Sequence, residues 1–275
     1  MFTRRTGLLI VPLWLAAMTW VVAHDVWPGF VAETAPKLQV TDWLRESGRR
    51  TQFAIYNDKG RLGTLWTVYI IDERSVQRWD LVWIEGYSEE FFPLGISVQS
   101  FFTIDGTLDE LTVRLSSSQR SLRLHGERFP TDFSFFLEMG PMEKAFKIPL
   151  AEGGIFSGAV SPFAQLADLE VGQTWRMQAF NPIAVMTGMG ERFIPMVVEV
   201  TGEETLVTES GTVSCLVVEA AHAKAWIDRN GAVQEQEVIL PVLGKLRIVR
   251  EAVFDERAKT AARQATLASG RAGRR

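Results

Sequence analysis

Few residues of this chain have the types and spacing that catalysis or metal binding needs. None of the three histidines, His24, His125 and His222, has a second His or Cys at the spacing of a metal-ligand pair. Glu219 and His222 come closest to a pair. In a continuing strand, however, residues three apart point to opposite faces, which argues against a shared metal. The sequence therefore predicts no metal site, and no motif in it indicates a cofactor.

Acidic pairs and cysteine give no catalytic group either. The adjacent carboxylates Asp72-Glu73, Glu89-Glu90 and Glu203-Glu204 are typical of acidic turns, not of the facing carboxylates of a glycosidase. No phosphate-binding loop, nucleophile elbow or Walker-type motif occurs. Cys215 is the single cysteine, and it lies in an apolar run, Thr212–Val218, where a thiol behaves as a small buried hydrophobe. We therefore predict a protein that is not an enzyme.

Binding chemistry is better represented, because several predicted strands are apolar on both faces. Trp66 lies on one face of the segment 64–71 and Tyr69 on the other, while Trp79 and Trp83 share a face in the segment 78–85. Such strands need cover on both sides, from a helix, a second sheet, a partner or an apolar ligand. Large aromatic side chains commonly line apolar pockets, with ordinary packing as the alternative. The candidate ligand-binding residues are Trp66, Tyr69, Trp79, Trp83 and Trp226.

The elements that must position these residues are strands, because the apolar pattern from Arg50 onward has a period of two. Turn residues between alternating runs predict hairpins at Asn57–Gly60, Ser116–Gln119 and Asp228–Gly231. The predicted strands are 52–56, 64–71, 78–85, 98–104, 111–115, 121–125, 133–138, 143–148, 174–180, 195–201, 205–208, 212–218, 223–227, 233–240 and 245–251.

The pattern predicts an all-β fold with one or two short helices. We expect a single, strongly curved antiparallel sheet, or half-barrel, over residues 49–256, with two smaller β domains as the alternative. Its halves, 49–153 and 171–256, are joined by a predicted short helix near 161–168, where Ser161-Pro162 has the chemistry of a helix start. Residues 28–48 are predicted to be a linker with a candidate short helix at 39–46.

The start of the chain indicates a location. Arg4 and Arg5 precede an uncharged run over 7–23. As a helix at ~1.5 Å per residue this run is roughly 26 Å long, just short of a ~30 Å hydrocarbon core. Segment 1–27 is predicted to be a single-pass anchor or a signal cleaved near Ala23, with a buried soluble helix as a third alternative. The β domain would then lie in the periplasm, tethered to the inner membrane or soluble after cleavage.

Charge is unevenly distributed along the chain. All 33 acidic residues lie between Asp25 and Glu256, whereas eight of the 29 basic residues lie outside this range. The acidic central part argues against nucleic acid as a partner. Residues 257–275 are basic, rich in Ala, Gly and Ser, and poor in large apolar side chains. We expect this tail to be disordered.

Several strand-and-turn phrases carry a family resemblance. They are Lys59–Gly63, Leu169–Trp175, Cys215–Glu219, Ala223–Gly231, Gln236–Pro241 and Leu246–Glu251. In this order they resemble exported bacterial proteins of unknown function, whose curved antiparallel sheet is similar to that of periplasmic lipoprotein carriers of the Lol type. A comparable β-region precedes transglutaminase-like domains in some bacterial proteins. The resemblance covers about residues 50–255 and implies a fold. No catalytic residues are carried over, because the chain after Glu251 contains neither Cys nor His.

Three hypotheses for function follow. The first is a non-enzymatic envelope module, tethered to the membrane through residues 7–23, that binds a lipid or another apolar small molecule in the concave face of its sheet. The second is a module for protein–protein interaction or assembly in the envelope, with another envelope protein as partner. The third is an enzyme acting on envelope polymers, which would show turnover that substitution of Glu219 or His222 abolishes.

Overall fold

The computed structural model describes residues 40, 42–46, 49–85, 93–117, 121–150, 155–156, 163, 166, 168–180, 193–240 and 244–272. Two helices and fifteen strands lie in these segments. The helices are α1, Asp42–Glu46, and α2, Glu256–Ala272. The strands β1 to β15 are, in chain order, Arg50–Asn57, Gly60–Ile71, Ser75–Ile84, Leu94–Thr103, Leu108–Ser116, Ser121–Arg128, Asp132–Met139, Met142–Pro149, Ile155–Phe156, Thr174–Phe180, Phe193–Thr208, Gly211–Ala220, Ala223–Asp228, Val233–Leu240 and Gly244–Glu251.

All fifteen strands form one large curved sheet, as the sequence predicts. Its order is β8-β7-β6-β5-β4-β3-β2-β1-β15-β14-β13-β12-β11-β10-β9. Strands β1 to β8 form one antiparallel meander and β10 to β15 form another, and the pairing of β1 with β15 joins them. The short β9 is the exception, because it pairs parallel to β10. The β1–β15 ladder therefore joins the two halves into one sheet.

Alternation along each strand separates an inner face from an outer face. The inner face carries the large hydrophobic cluster, to which both meanders contribute. Phe53, Leu65, Leu124 and Ile248 lie on this face, and each is at most 7 % exposed. The inner face is therefore filled by side chains along the middle of the sheet.

Helix α2 corrects the expectation of a disordered tail for residues 257–272. Asp255 caps the helix, and its Oδ1 accepts hydrogen bonds from the amides of Arg257 and Ala258 at 2.9 Å each. Ala262 and Thr266 are buried at 5 % exposure, and Thr266 lies against Gly95 of β4. The helix docks through small side chains, so it lacks the large apolar stripe by which a packed helix is recognised in a sequence.

A second correction concerns β11, which was predicted as two strands. Phe193–Thr208 is one strand with a register shift between Val200 and Gly202 in its ladder with β12. The irregularity at Thr201-Gly202 mimics a turn in the sequence, whereas a β-bulge bends a strand without ending it. At the tip of the β11–β12 hairpin, Glu209 accepts a hydrogen bond from the amide of Ala252 at 3.2 Å.

The remaining local predictions have mixed outcomes. The hairpin turns after β1, β5 and β13 are confirmed by the antiparallel pairs that they join. In the last of these turns Gly231 has φ +77°, which favours glycine. The helix expected at 39–46 is confirmed over Asp42–Glu46. Much of the helix expected near 161–168 lies outside the described residues and stays a prediction.

The membrane segment also stays a prediction. Within the described residues no helix combines the length and apolarity that crossing a bilayer requires. Residues 1–39, which include the apolar run, lie outside them.

Candidate ligand-binding site

The five predicted ligand-binding residues lie in three separate places. Trp66, Trp79 and Trp83 share the outer face of β2 and β3. Parity predicts this for Trp79 and Trp83, and the β2–β3 register adds Trp66. Trp66 is 3 % exposed and packs with Leu81 and Ala262 of α2, while Trp83 is only partly buried beside them. The guanidinium of Arg263 lies 5.5 Å from the ring centre of Trp79. Helix α2 therefore covers much of this aromatic surface.

Trp226 and Tyr69 are apart from this group. Trp226 lies on the outer face of the other meander, packs with Cys215 and Val217, and donates from Nε1 to Glu204 at 2.7 Å. Tyr69 alone of the five faces inward, where it belongs to the large cluster and is 7 % exposed. The aromatic residues therefore do not form one lining of the concave face, and their part in ligand binding stays a prediction.

Around Tyr69 the inner face holds a polar cluster that the sequence analysis missed. Tyr69 is the cross-strand partner of Arg78, Thr67 that of Asp80, and Ser100 that of Arg78 on its other side. Direct partners on one face have Cβ atoms about 5 Å apart, so the register alone brings these five side chains together. We call Thr67, Tyr69, Arg78, Asp80 and Ser100 the inner polar cluster.

An ion pair lies at the centre of the inner polar cluster. Arg78 Nε is 2.9 Å from Asp80 Oδ2 and donates to Oδ1 at 3.1 Å. Thr67 Oγ1 donates to the same Oδ1 at 2.5 Å. The side chains of Arg78 and Asp80 are only 2 % and 8 % exposed, so both charges are held away from water.

Burial and mutual charge set the ionisation of the cluster. Burial raises the pKa of Tyr69; the charge of Arg78 opposes this shift and that of Asp80 adds to it. Burial is the largest single influence and acts to lower the pKa of Arg78. The charge of Asp80, the interaction with Tyr69 and the hydrogen bond that Arg78 donates to the Asp80 carboxylate together outweigh it, so the net pKa is raised. Arg78 is therefore a buried permanent cation and Tyr69 a neutral phenol whose ring centre lies 5.9 Å from the guanidinium carbon.

Two atoms of the cluster lack a partner among the described residues. They are Arg78 Nη1 and Ser100 Oγ, both fully shielded from solvent. A buried donor without a partner costs about 1–3 kcal/mol of free energy, and more when it is charged. A polar atom of a ligand that reached these two groups would remove this cost.

The inner face becomes more exposed at one edge of the sheet. Within the described structure β8 and β9 are the edge strands and do not pair with each other. The inner-facing Met139, Phe146 and Ile148 of β7 and β8 are only partly buried, and Met142 is 45 % exposed. Adaptable methionines and an aromatic ring are typical of surfaces that accept apolar molecules. We call these four residues the apolar mouth; the exposed Lys144 lies on the same face between Met142 and Phe146.

The sequence contained a signal for the polar cluster. One parity of β3 reads Val76, Arg78, Asp80, Val82 and Ile84, which places two opposite charges two residues apart in an apolar row. An exposed face would normally carry more polar residues, so such a row indicates a buried pair. The predicted site rests on the other parity of this strand, which carries Trp79 and Trp83.

Three other features of the described residues bear on a functional site: a cavity, the cysteine and the acidic side chains. A cavity of about 390 Å³ lies beside the middle of the β11–β12 hairpin and is lined by Asp168, Glu203 and Arg229 among others. Cys215 is buried beside it, and burial raises the pKa of its thiol to about 11, with a smaller contribution from Asp228. No group of three His, Cys, Asp or Glu side chains in the described segments could hold a metal ion.

Comparison with known proteins gives distant structural neighbours. No family model matches the chain, and no curated protein matches it. A β-barrel-like protein of the domain of unknown function DUF1849 from Brucella abortus superposes with a TM-score of 0.47 and 10 % identity, over 74 % of this chain and 96 % of that one. A DUF1089 family protein from Pseudomonas aeruginosa gives a TM-score of 0.38 and 14 % identity, over 65 % and 90 %. Both neighbours are assigned to domains of unknown function. Neither is described as a Lol-type carrier or a transglutaminase-associated domain.

Proposed function

We propose that this protein is a non-enzymatic binding module that holds an apolar, lipid-like molecule against the inner face of its curved sheet. The observation that carries the proposal is the composition of that face. It is mostly apolar over both meanders, holds the inner polar cluster together with Gln236 and Arg250, and becomes partly exposed at the apolar mouth. Sites for small apolar ligands have this composition, in which a few placed polar groups orient a mostly hydrophobic molecule.

The mouth supports entry at the β7–β8 edge. The ring of Phe146 stacks 5.3 Å from that of Phe135, which in turn lies 4.9 Å from that of Phe133. Gly126 makes room for this row, since a Cβ there would lie 2.6 Å from an edge atom of each of the two buried rings. The row leads from the partly exposed edge strand to side chains that are 1–2 % exposed. An apolar chain could follow it inward by displacing the outer side chains.

Native mass spectrometry of the full chain in detergent-free buffer tests the proposal. We expect either a co-purified apolar adduct or, after delipidation, uptake of the neutral dye N-phenyl-1-naphthylamine. Phe146→Glu should lower dye uptake about tenfold or more, because a charge in the mouth must be desolvated by the ligand. Phe136→Glu is the matched control, since Phe136 lies on the outer face of the neighbouring strand and is 39 % exposed. Absence of both adduct and uptake would refute the proposal.

The location belongs to the same proposal. A tether through residues 7–23 would hold the β domain on the periplasmic side of the inner membrane. Fractionation of cells should then find the full chain in the membrane pellet after alkaline carbonate extraction, and a variant lacking residues 1–27 in the soluble fraction. Release of the full chain by carbonate would contradict the tether and leave the cleaved, periplasmic form.

A further inference from the structure

The guanidinium of Arg78 is fixed in a way that leaves one side available. Its Nε donates to Asp80, and Asp80 is held in turn by the hydroxyl of Thr67. In a guanidinium the Nη1 hydrogens lie away from the Nε–H edge. An acceptor that approaches Nη1 therefore does not compete with Asp80. Because the side chain is 2 % exposed, this donor points into the protein interior and not into solvent.

Ser100 adds a second donor beside the first. It is the cross-strand partner of Arg78 on β4, it is 0 % exposed, and its hydroxyl has no partner among the described residues. Val98 and Phe102, which flank it on the same face, and Leu111 opposite it are all buried and apolar. The two unpartnered donors thus share a small patch inside apolar surroundings.

We infer that the ligand of the proposed function carries an anionic head group, a carboxylate or a phosphate, which binds Arg78 Nη1 and Ser100 Oγ while its apolar chain extends along the inner face toward the mouth. This inference rests on the proposed function and adds the chemical class of the ligand. Hydrogen bonds between an ionised donor and an ionised acceptor are roughly twice as strong as neutral ones, and low local polarity strengthens them further. An anion on the Nη1 side is also separated from Asp80 by the guanidinium.

Three ligands with the same alkyl chain test the inference: hexadecanoic acid, hexadecyl phosphate and hexadecanol. Each displaces N-phenyl-1-naphthylamine from the delipidated full chain at pH 7.5. We expect the acid, the phosphate or both to compete at a concentration about tenfold or more below that of the alcohol. A lower value for the acid identifies a fatty-acid-like ligand, and a lower value for the phosphate a phospholipid-like one.

Two variants assign this preference to the inner polar cluster. Arg78→Gln combined with Asp80→Asn removes both charges together, and it should bring the acid, the phosphate and the alcohol to within about threefold of one another. Ser100→Ala leaves the ion pair intact, so its fold is not at risk, and it should weaken only the anionic ligands. Arg114→Gln is the control, because Arg114 is exposed on the outer face of β5.

The outcomes distinguish a failure of the anionic head group from a failure of the proposed function. Equal displacement by all three ligands in the unaltered protein overturns the anionic head group and leaves the proposed function standing. If the unaltered protein binds neither the dye nor any of the three ligands, both the anionic head group and the proposed function are wrong. An anion preference that survives in both the double variant and Ser100→Ala shows that other residues select the head group, and the assignment to Arg78 is then wrong.

Discussion

Removing one charge of the Arg78–Asp80 pair should destabilise the protein far more than removing both. The pair is at most 8 % exposed, and its nearest atoms are 2.9 Å apart. For charge centres about 4 Å apart at an effective dielectric constant of about 20, the attraction is about 4 kcal/mol. We therefore expect Arg78→Met to lower the free energy of unfolding by about 3–5 kcal/mol, because it leaves the Asp80 carboxylate buried with only the Thr67 hydroxyl. Asp80→Val should lower the free energy of unfolding by a similar amount, because it leaves the Arg78 guanidinium buried without its carboxylate partner.

The double variant Arg78→Met with Asp80→Val should be within about 2 kcal/mol of the unaltered protein, or more stable than it. An apolar pair of similar volume avoids the cost of burying two charges. The coupling energy of the double-mutant cycle should then exceed about 3 kcal/mol. Arg114→Met, on the exposed outer face, is the control and should change the free energy of unfolding by less than about 0.5 kcal/mol.

Urea denaturation followed by tryptophan fluorescence measures these quantities. With a denaturant slope of about 2.5 kcal/mol per M, a loss of about 4 kcal/mol lowers the unfolding midpoint by about 1.6 M. Arg78→Lys and Asp80→Asn are milder singles for use if the apolar ones do not fold. A coupling energy below about 1 kcal/mol would refute the reasoning, since it would show that the two charges do not meet in a buried site.

Three further predictions concern the outer face and the thiol. Gly95→Ala should lower the free energy of unfolding by about 1–3 kcal/mol, because its Cβ would lie 2.2 Å from Thr266 Oγ1. Adding Thr266→Gly to this variant removes the clash. Denaturant titrations should then show that most of the loss is recovered, apart from the cost of up to about 1 kcal/mol that glycine has in a helix. Trp66→Ala should lower the free energy of unfolding by about 3–5 kcal/mol, and Trp83→Ala clearly less, because Trp83 is partly exposed. If both variants lower the unfolding temperature equally, the packing of Trp66 under α2 is contradicted. Cys215 should resist alkylation by iodoacetamide at pH 8 until urea unfolds the chain, as its folded pKa of about 11 exceeds the usual 9. Because the unfolded thiol ionises first, stability relative to Cys215→Ala should fall as the pH rises from 9 toward 11, and a flat difference would count against the burial.

Strand positions followed from the chain alone because the period of two and the turn residues are local signals. Thr174–Phe180 was predicted with the bounds that the structure has, and the Asp228–Gly231 turn was predicted from its Asn-Gly pair. The errors arose where contacts across the sheet decide the outcome. Helix α2 depends on Gly95, which is some 170 residues earlier in the chain, and on small side chains that carry no amphipathic signal.

The candidate site shows the same division. The sequence indicated which strands are apolar on both sides, so it identified Trp66 and Tyr69 as residues that must be covered, and their placement on opposite faces followed from parity. It could not say which face carries the large cluster, because both parities are apolar and only the sheet joined through β1 and β15 brings the inner side chains of both meanders together. It also could not pair Arg78 with Ser100, since that contact depends on the β3–β4 register.

An all-β chain built from local hairpins, with an acidic central part and one cysteine in an apolar run, follows from the amino-acid sequence alone. The tertiary structure alone decided that the two meanders join into one sheet, that the tail folds over the tryptophan face, and that a buried cation lies on the inner face. The two kinds of information differ in how far apart along the chain the interacting residues lie. Alternation and turn chemistry act between neighbours in the chain, whereas burial, register and the loss of water around a charge depend on residues that only the folded sheet brings together.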